Sequence, residues 1–207
     1  MKKMSVDLKK VVDHSYDIFV EPDLLEKIPA LLKKFNLKTR FAIITDSNVY
    51  HLYGKKLFKR MSHEGYKGEI IQFKAGEKQK NRKTINNIQN KMFEKKFARD
   101  SFVIALGGGV TGDIAGFVAS TYNRGIPFVQ IPTTLLSMVD SSIGGKTGID
   151  TKYGKNLIGT FYQPKAVFID TDVLDTLDKK ELRNGYAEII KHAIIADKNL
   201  FNFINKN

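Results

Sequence analysis

The chain has 207 residues, of which 42% are hydrophobic and 27% charged, the composition of an ordinary globular protein. It contains no cysteine, which excludes disulfides, thiolate metal ligands and a cysteine nucleophile. The formal net charge of +12 comes from lysines scattered along the chain without a recognised nucleic-acid module, so we predict no nucleic-acid binding.

The start of the chain and its hydropathy pattern predict a cytoplasmic protein. Asp7 and Lys9 interrupt any apolar run long enough for a signal peptide. No segment approaches the roughly 20 apolar residues that span a bilayer. We therefore expect no membrane association.

Strand-like and helix-like patterns alternate along the chain. We predict strands at 16–20, 41–45, 69–73, 102–106, 127–131 and 166–169, and helices at 24–35, 49–61 and 83–97 and after the glycines that follow residue 106. This order predicts an α/β fold with a Rossmann-like, mostly parallel sheet flanked by helices. Ligands of such sheets bind at the carboxyl ends of the strands.

Residues 101–119 read SFVIALGGGVTGDIAGFVA, an apolar strand followed by glycines and a helical pattern. Gly107, Gly109 and Gly112 fit the G-x-G-x-x-G loop of dinucleotide-binding proteins, where backbone N–H groups and the helix N-terminus meet a pyrophosphate. That motif also expects an acidic residue about 20 positions later. None lies between Asp113 and Asp140. The alternative interpretation of the loop is a tight turn that binds nothing.

Polar loops follow the other predicted strands and would meet at one edge of the sheet. Asp46 and Glu77 supply carboxylates that can hold a ribose in place of the missing acid. Asp46, Thr133 and Thr171 also stand where helix N-caps do, and capping alone is the simpler explanation for any one of them. Their convergence on one edge favours a site.

Residues 131–164 read IPTTLLSMVDSSIGGKTGIDTKYGKNLIGTFYQP, which is too polar and glycine-rich for a simple connection. Lys146 and Lys155 each follow glycine, so their ammonium groups can reach a phosphate or carboxylate with little backbone obstruction. The alternative for either lysine is an exposed loop charge.

These segments resemble the 3-dehydroquinate synthase family. The motifs GGGVTGDIAGFVAS, YNRGIPFVQIPTTLLSMVDSSIGGKTGI, GKNLIGTFYQP and YAEIIKHAII follow its pattern in order and spacing, and the looser TDSN and AGEKQK segments also align. The family, a group of shikimate-pathway lyases, converts 3-deoxy-D-arabino-heptulosonate 7-phosphate to 3-dehydroquinate with loss of phosphate. It uses NAD and a divalent metal, zinc or cobalt. The resemblance implies these cofactors, a small phosphorylated sugar-acid substrate and a homodimer.

The resemblance also implies roles for individual residues. Substrate or the reacting groups would meet Lys146, Asn156, Lys191 and Arg124, the last across a dimer interface. Glu188 would ligate the metal, and His192 would support that ligand or pack near it. Ala75, Gln79 and Asp150 depart from the family pattern. NAD would contact Asp46, Gly76, Glu77, Lys78, Lys80, Gly109, Val110, Thr111, Gly112, Asp113, Thr133, Thr134, Asp140, Lys146, Lys155, Val173 and Thr176.

We predict an NAD-binding domain at residues 1–177 and the beginning of a helical metal and substrate domain at 178–207. The family takes its two histidine metal ligands from beyond this length, so we expect the 207 residues alone to bind NAD weakly without turnover. Three alternatives remain: another sugar-phosphate cyclase, a metal-dependent polyol dehydrogenase, and an NAD-binding module without catalytic activity.

Overall fold

The computed structural model describes residues 4–5, 13–37 and 40–206. Its largest element is a six-stranded sheet in which all neighbouring strands are parallel. The spatial order is β1 (Asp17–Glu21), β8 (Ala166–Asp170), β5 (Phe128–Pro132), β4 (Phe102–Gly107), β2 (Arg40–Asp46) and β3 (Lys67–Phe73). The predicted Rossmann-like α/β fold is confirmed.

Helices cover both faces of this sheet. Side chains alternate between faces along each strand, so the apolar run of β4 serves two cores. The helices are α1 (Leu24–Leu32), α2 (Ser47–Val49), α3 (Lys55–His63), α4 (Arg82–Glu94), α5 (Gly109–Thr121), α6 (Lys179–Ala196) and α7 (Lys198–Lys206). Phe102, Ile104 and Leu106 pack in a cluster with α1 and α3, whereas Val103 and Ala105 pack in a cluster with α4 and α5.

The segment between β5 and β8 contains a β-hairpin that the sequence did not predict. Strands β6 (Lys146–Thr151) and β7 (Gly154–Phe161) pair in antiparallel fashion. Most of β7 is exposed, so it lacks the apolar alternation by which strands are recognised. Gly148 and Gly159 face each other, and a Cβ atom on Gly159 would collide with the Thr147 carbonyl oxygen. Glycine is therefore required for this close pairing.

The helix predicted at 49–61 is divided into α2, a π-helical turn at Tyr50–Gly54, and α3. One of the three predicted caps is confirmed: Asp46 Oδ1 accepts the N–H groups of Asn48 and Val49 at 2.8 and 3.2 Å. The prediction for Thr171 is wrong, because Asp170 accepts the Asp172 N–H at 3.0 Å. The prediction for Thr133 is also wrong, since Thr134 Oγ1 accepts the Ser137 N–H.

Helix α6 begins after Asp178, whose carboxylate accepts the Lys180 N–H at 2.7 Å. The division of the chain at residue 177 stays a prediction. Within the part of the chain that the structure describes, no helix is both long and apolar enough to cross a bilayer. Asp7 and Lys9, on which the signal-peptide argument rests, lie outside the described residues. Helices α6 and α7 expose several large apolar side chains, namely Tyr186, Ile190, Ile194, Ile195, Phe201 and Phe203.

Candidate functional site

An open cleft of about 780 Å³ lies at the carboxyl ends of the parallel strands. It has the size of a small-molecule site, and its position is the one where open α/β sheets bind ligands. Twelve of the residues predicted to contact a cofactor line it: Asp46, Gly76, Glu77, Lys80, Gly109, Val110, Thr111, Asp113, Thr133, Thr134, Asp140 and Thr176.

The glycine loop forms the floor of this cleft at the start of α5. A Cβ atom on Gly108 would lie 2.9 Å from Thr134 Cγ2, and one on Gly109 would lie 2.8 Å from Ser141 Oγ. Gly108 stands at the N-cap position of α5 and has no side chain with which to cap the helix. The first N–H groups of the helix therefore remain available to an anion, which the helix dipole also favours.

Gly112 does not line the cleft but packs behind the glycine loop. A Cβ atom there would lie 2.8 Å from Oε1 of Gln130, a buried side chain of β5. The Gln130 amide donates to the Ser142 carbonyl at 3.4 Å. Gly112 thus lets α5 approach the glutamine that supports the segment after β5.

Asp46, at the end of β2, accepts hydrogen bonds with both of its carboxylate oxygens. One carboxylate oxygen caps α2, and the other accepts a hydrogen bond from the Thr111 hydroxyl at 3.3 Å. The side chain still lines the cleft. Capping fixes the carboxylate in position, and each oxygen keeps acceptor capacity for a hydroxyl group of a ligand.

A second cavity of about 420 Å³ adjoins the cleft along the β6–β7 hairpin. Asp113, Asp140 and Ser141 border both spaces. Lys146 and Asn156 line the second cavity only. Predicted substrate residues and predicted cofactor residues thus occupy two adjoining spaces with a shared wall.

Lys80 connects these two spaces. Its ammonium group, almost fully buried, forms an ion pair with Asp113 of α5 and donates a hydrogen bond to Asn156 Oδ1 of β7. The Lys80 carbonyl accepts the Asp150 N–H at 2.8 Å, and Asp150 Oδ1 accepts the Asn156 N–H at 2.9 Å. Asn156 has a φ angle of +57°, so these bonds hold a strained residue in place.

Burial raises the pKa of Asp113, against the opposing effect of the Lys80 ammonium beside it. Nearby Glu77 and Asp150 raise this pKa further by repulsion. Helix α5 therefore carries, just after its first turn, a carboxylate whose charge is costly in the folded protein.

Lys155 and Glu77 form an exposed ion pair with Nζ and Oε1 3.0 Å apart, and this hydrogen bond raises the pKa of Lys155. Lys78 is exposed and lines neither cavity. Val173 is buried, and its carbonyl accepts a hydrogen bond from the Tyr53 hydroxyl at 3.3 Å. The same hydroxyl contacts Thr176 at the edge of the cleft.

Arg124 lies far from this cluster along the sheet. It is exposed in the turn between α5 and β5, which approaches the amino end of β5, the edge opposite the cleft. Its φ angle is +67°, and those of Asn123 and Gly125 are +50° and +111°. The structure therefore does not bring Arg124 together with the other predicted substrate residues of the same chain.

Helix α6 brings Glu188, Lys191 and His192 onto one face near Asp140. Ligand atoms of Asp140, Glu188 and His192 lie within 4.8 Å of one another. His192 Nε2 is 2.9 Å from Glu188 Oε1, and His192 is exposed rather than packed. Lys191 pairs with Glu188, which lowers the pKa of Glu188 and raises that of Lys191.

Several residues at the site were not identified from the sequence, and Tyr53 and Ser141 are two of them. Tyr53 lines the cleft from the π-helical turn, within a segment for which the sequence predicted only a helix and no site residue. Ser141 borders both cavities, and the only sequence signal was its place beside Asp140 before two glycines.

Comparison with known proteins assigns this arrangement to a family. The family model described as 3-dehydroquinate synthase N-terminal matches residues 70–184, more than half of the chain. The chain belongs to the 3-dehydroquinate synthase family. The matched segment contains the glycine loop, the hairpin and the beginning of α6.

Individual relatives agree with this assignment. A 3-dehydroquinate synthase of Thermoanaerobacter pseudethanolicus is 49% identical over 207 residues, which are 100% of this chain and 57% of that protein. Another from Prochlorococcus marinus is 46% identical over 201 residues, 94% of this chain and 55% of that protein. The chain therefore spans little more than half the length of these relatives.

A solved structure gives the same result for the fold. The 2-epi-5-epi-valiolone synthase of Streptomyces hygroscopicus subsp. jinggangensis, with NAD⁺ and Zn²⁺ bound, superposes with a TM-score of 0.85 at 38% identity. The match covers 97% of this chain and 54% of that one.

Proposed function

We propose that this chain forms the NAD-binding part of a 3-dehydroquinate synthase, a lyase that cyclises 3-deoxy-D-arabino-heptulosonate 7-phosphate with loss of phosphate. The observation that carries the proposal is the cleft at the strand ends, lined by twelve residues that the resemblance assigns to the cofactor, in a chain of that family. Family membership favours this reaction over that of a polyol dehydrogenase.

The residues at the cleft fit NAD. The start of α5 offers uncapped N–H groups to a diphosphate, and substitution of either Gly108 or Gly109 would fill the space beside them. Asp46 and Glu77 line the same cleft and have acceptor oxygens for ribose hydroxyls. Bound NAD would supply reversible hydride transfer, with no net redox change over the reaction.

The second cavity fits a phosphorylated acid. Lys146 and Asn156 line it, and Lys191 lies on the α6 face beside Asp140. Their cationic and amide groups bind and orient an anionic substrate and stabilise negative charge that develops during the reaction. We propose that Arg124 acts on the substrate phosphate of a second copy in a homodimer, since its exposed position at the opposite edge leaves it free to do so.

We propose that Glu188 is one ligand of a divalent metal. A catalytic zinc site takes three protein ligands and an open position. Glu188 lies beside Asp140 and is hydrogen-bonded to His192. Such a bond holds a carboxylate in one orientation, as a metal ligand requires. The chain covers 57% of the length of a relative, and the family resemblance assigns the two histidine ligands to the part of the relatives that it does not cover.

Calorimetry with NAD, run beside a phosphate-release assay with the heptulosonate phosphate, tests this proposal. We expect saturable NAD binding by the 207 residues and no phosphate release at zinc saturation. Steady phosphate release would contradict the expectation that these 207 residues bind NAD without turnover. A stoichiometric yield of NADH would support the polyol dehydrogenase instead.

A further inference from the structure

The Ser141 hydroxyl is buried and has no hydrogen-bond partner among the described residues. A buried hydroxyl without a partner destabilises a folded chain, so it calls for an explanation. Ser141 ends the π-helical turn Ser137–Ser141, and such turns occur often at functional sites.

The position of this hydroxyl points to a ligand. Ser141 is one of three residues that border both the cleft and the second cavity. Its Oγ lies 2.8 Å from the point where a Cβ atom of Gly109 would stand, directly over the first residue of α5. An anion that accepts the first N–H groups of α5 would therefore lie within reach of this hydroxyl.

Rotation about one bond is enough to turn the hydroxyl toward such a ligand. The Ser141 Oγ has three staggered positions, and the residue itself is only partly buried. Asp113 and Asp140, the other two shared wall residues, are acceptors when ionised and repel a phosphate. Ser141 is thus the one shared wall residue whose side chain can donate to an anion there.

We propose that Ser141 is a further cofactor-binding residue, whose hydroxyl donates a hydrogen bond to the diphosphate of a dinucleotide at the start of α5. This inference rests on the proposed NAD-binding function. Of the three residues that border both spaces, Ser141 is the one whose side chain can donate a hydrogen bond to an anion. This bond would add to those from the backbone N–H groups of the glycine loop.

Ser142 provides a matched control. Its hydroxyl is also buried without a partner, and the residue is 1% exposed. It borders neither the cleft nor the second cavity. Substitution by alanine removes the same group at the next position without touching the proposed ligand contact.

The experiment is calorimetric titration of the unmodified chain, Ser141→Ala and Ser142→Ala with NAD and with ADP-ribose. We expect Ser141→Ala to weaken both ligands about tenfold, the effect of one hydrogen bond to a charged group, and Ser142→Ala to change neither more than about twofold. Both variants should melt at or above the temperature of the unmodified chain, because each loses an unpaired buried hydroxyl.

Three results would overturn the inference. They are unchanged affinities in Ser141→Ala, a loss for NAD that spares ADP-ribose, and equal losses in both variants. The second would place the contact on the nicotinamide, and the third would show a packing effect. If the unmodified chain itself binds neither ligand, the proposed NAD site fails instead.

Discussion

The strand-end cleft and the α6–α7 segment differ in how deeply their residues are buried and in what holds their side chains in place. The cleft stands on strands such as β4, whose residues are all buried, and its side chains are joined by hydrogen bonds and a buried ion pair. In contrast, α6 buries only Gly185 and Ala193, and α7 buries no residue. The metal candidate Glu188 belongs to this second region.

The difference shows which part of the site the sheet determines. Residues of the cleft are fixed by the packing of both sheet faces, so their geometry follows from the fold of this chain. Glu188, Lys191 and His192 bond mainly to one another, and Lys191 and His192 are exposed. We therefore expect cofactor binding and folding stability to depend on the first region and to be insensitive to the second.

The same substitution in the two regions should have very different effects. Ile114 of α5 is 0% exposed and Ile194 of α6 is 67% exposed. We expect Ile114→Ala to lower the free energy of unfolding by about 4 kcal/mol, because it leaves a cavity between α5 and the sheet. Ile194→Ala should change it by less than about 0.5 kcal/mol. Denaturant unfolding measures both, and equal losses would contradict the contrast.

The buried lysine of the cleft, Lys80, should contribute more to stability than the exposed Lys155 of the hairpin. Lys80→Met removes the partner of Asp113, and we expect a loss of about 3 kcal/mol in unfolding free energy with weaker NAD binding. The control is Lys155→Met, which breaks the exposed pair with Glu77 and should lower the unfolding free energy far less, because solvent screens an exposed pair. A stability loss in Lys155→Met as large as that in Lys80→Met would show that burial does not set the strength of these pairs.

The pH dependence of stability should reveal the buried carboxylate. The folded pKa of Asp113 is raised above its ordinary value of 3.8, so the folded state holds this proton more tightly than the unfolded chain does. The free energy of unfolding, relative to Asp113→Asn, should therefore fall as pH rises from about 4 through the folded pKa.

Glu64 supplies a control of opposite sign for this measurement. Its hydrogen bond with Lys33 lowers its pKa below 4.5, so its contribution is present above that pH and is lost as pH falls through the folded value. Denaturant titrations across pH would measure both variants. A slope of the same sign for Asp113→Asn and Glu64→Gln would contradict the assigned cause.

The sequence predicted those parts of the site whose signals are local. The apolar run of β4 followed by Gly107, Gly109 and Gly112 led directly to the strand, the loop and the helix, because burial on both faces leaves a continuous pattern. The hairpin was not predicted, since glycine pairing at Gly148 and Gly159 replaces side-chain alternation.

The long-range contacts at the site could not be predicted from the sequence either. The place of Lys80 between Asp113 and Asn156 depends on three elements whose approach no local pattern encodes. The unpartnered hydroxyl of Ser141 depends on the approach of the turn after β5 to Gly109. The position of Arg124 at the opposite edge follows from topology, because the segment before a parallel strand lies at the edge away from the cleft.

The most direct test of the central claim, that the strand-end cleft forms the NAD site, is an NMR titration of the chain with NAD, following each backbone amide. We predict saturable shifts at the amides of Gly109, Val110 and Thr111 and around Asp46, with no comparable shifts at Ile194 or Phe201. The absence of saturable shifts at the glycine loop, or shifts centred on α6 and α7, would contradict it.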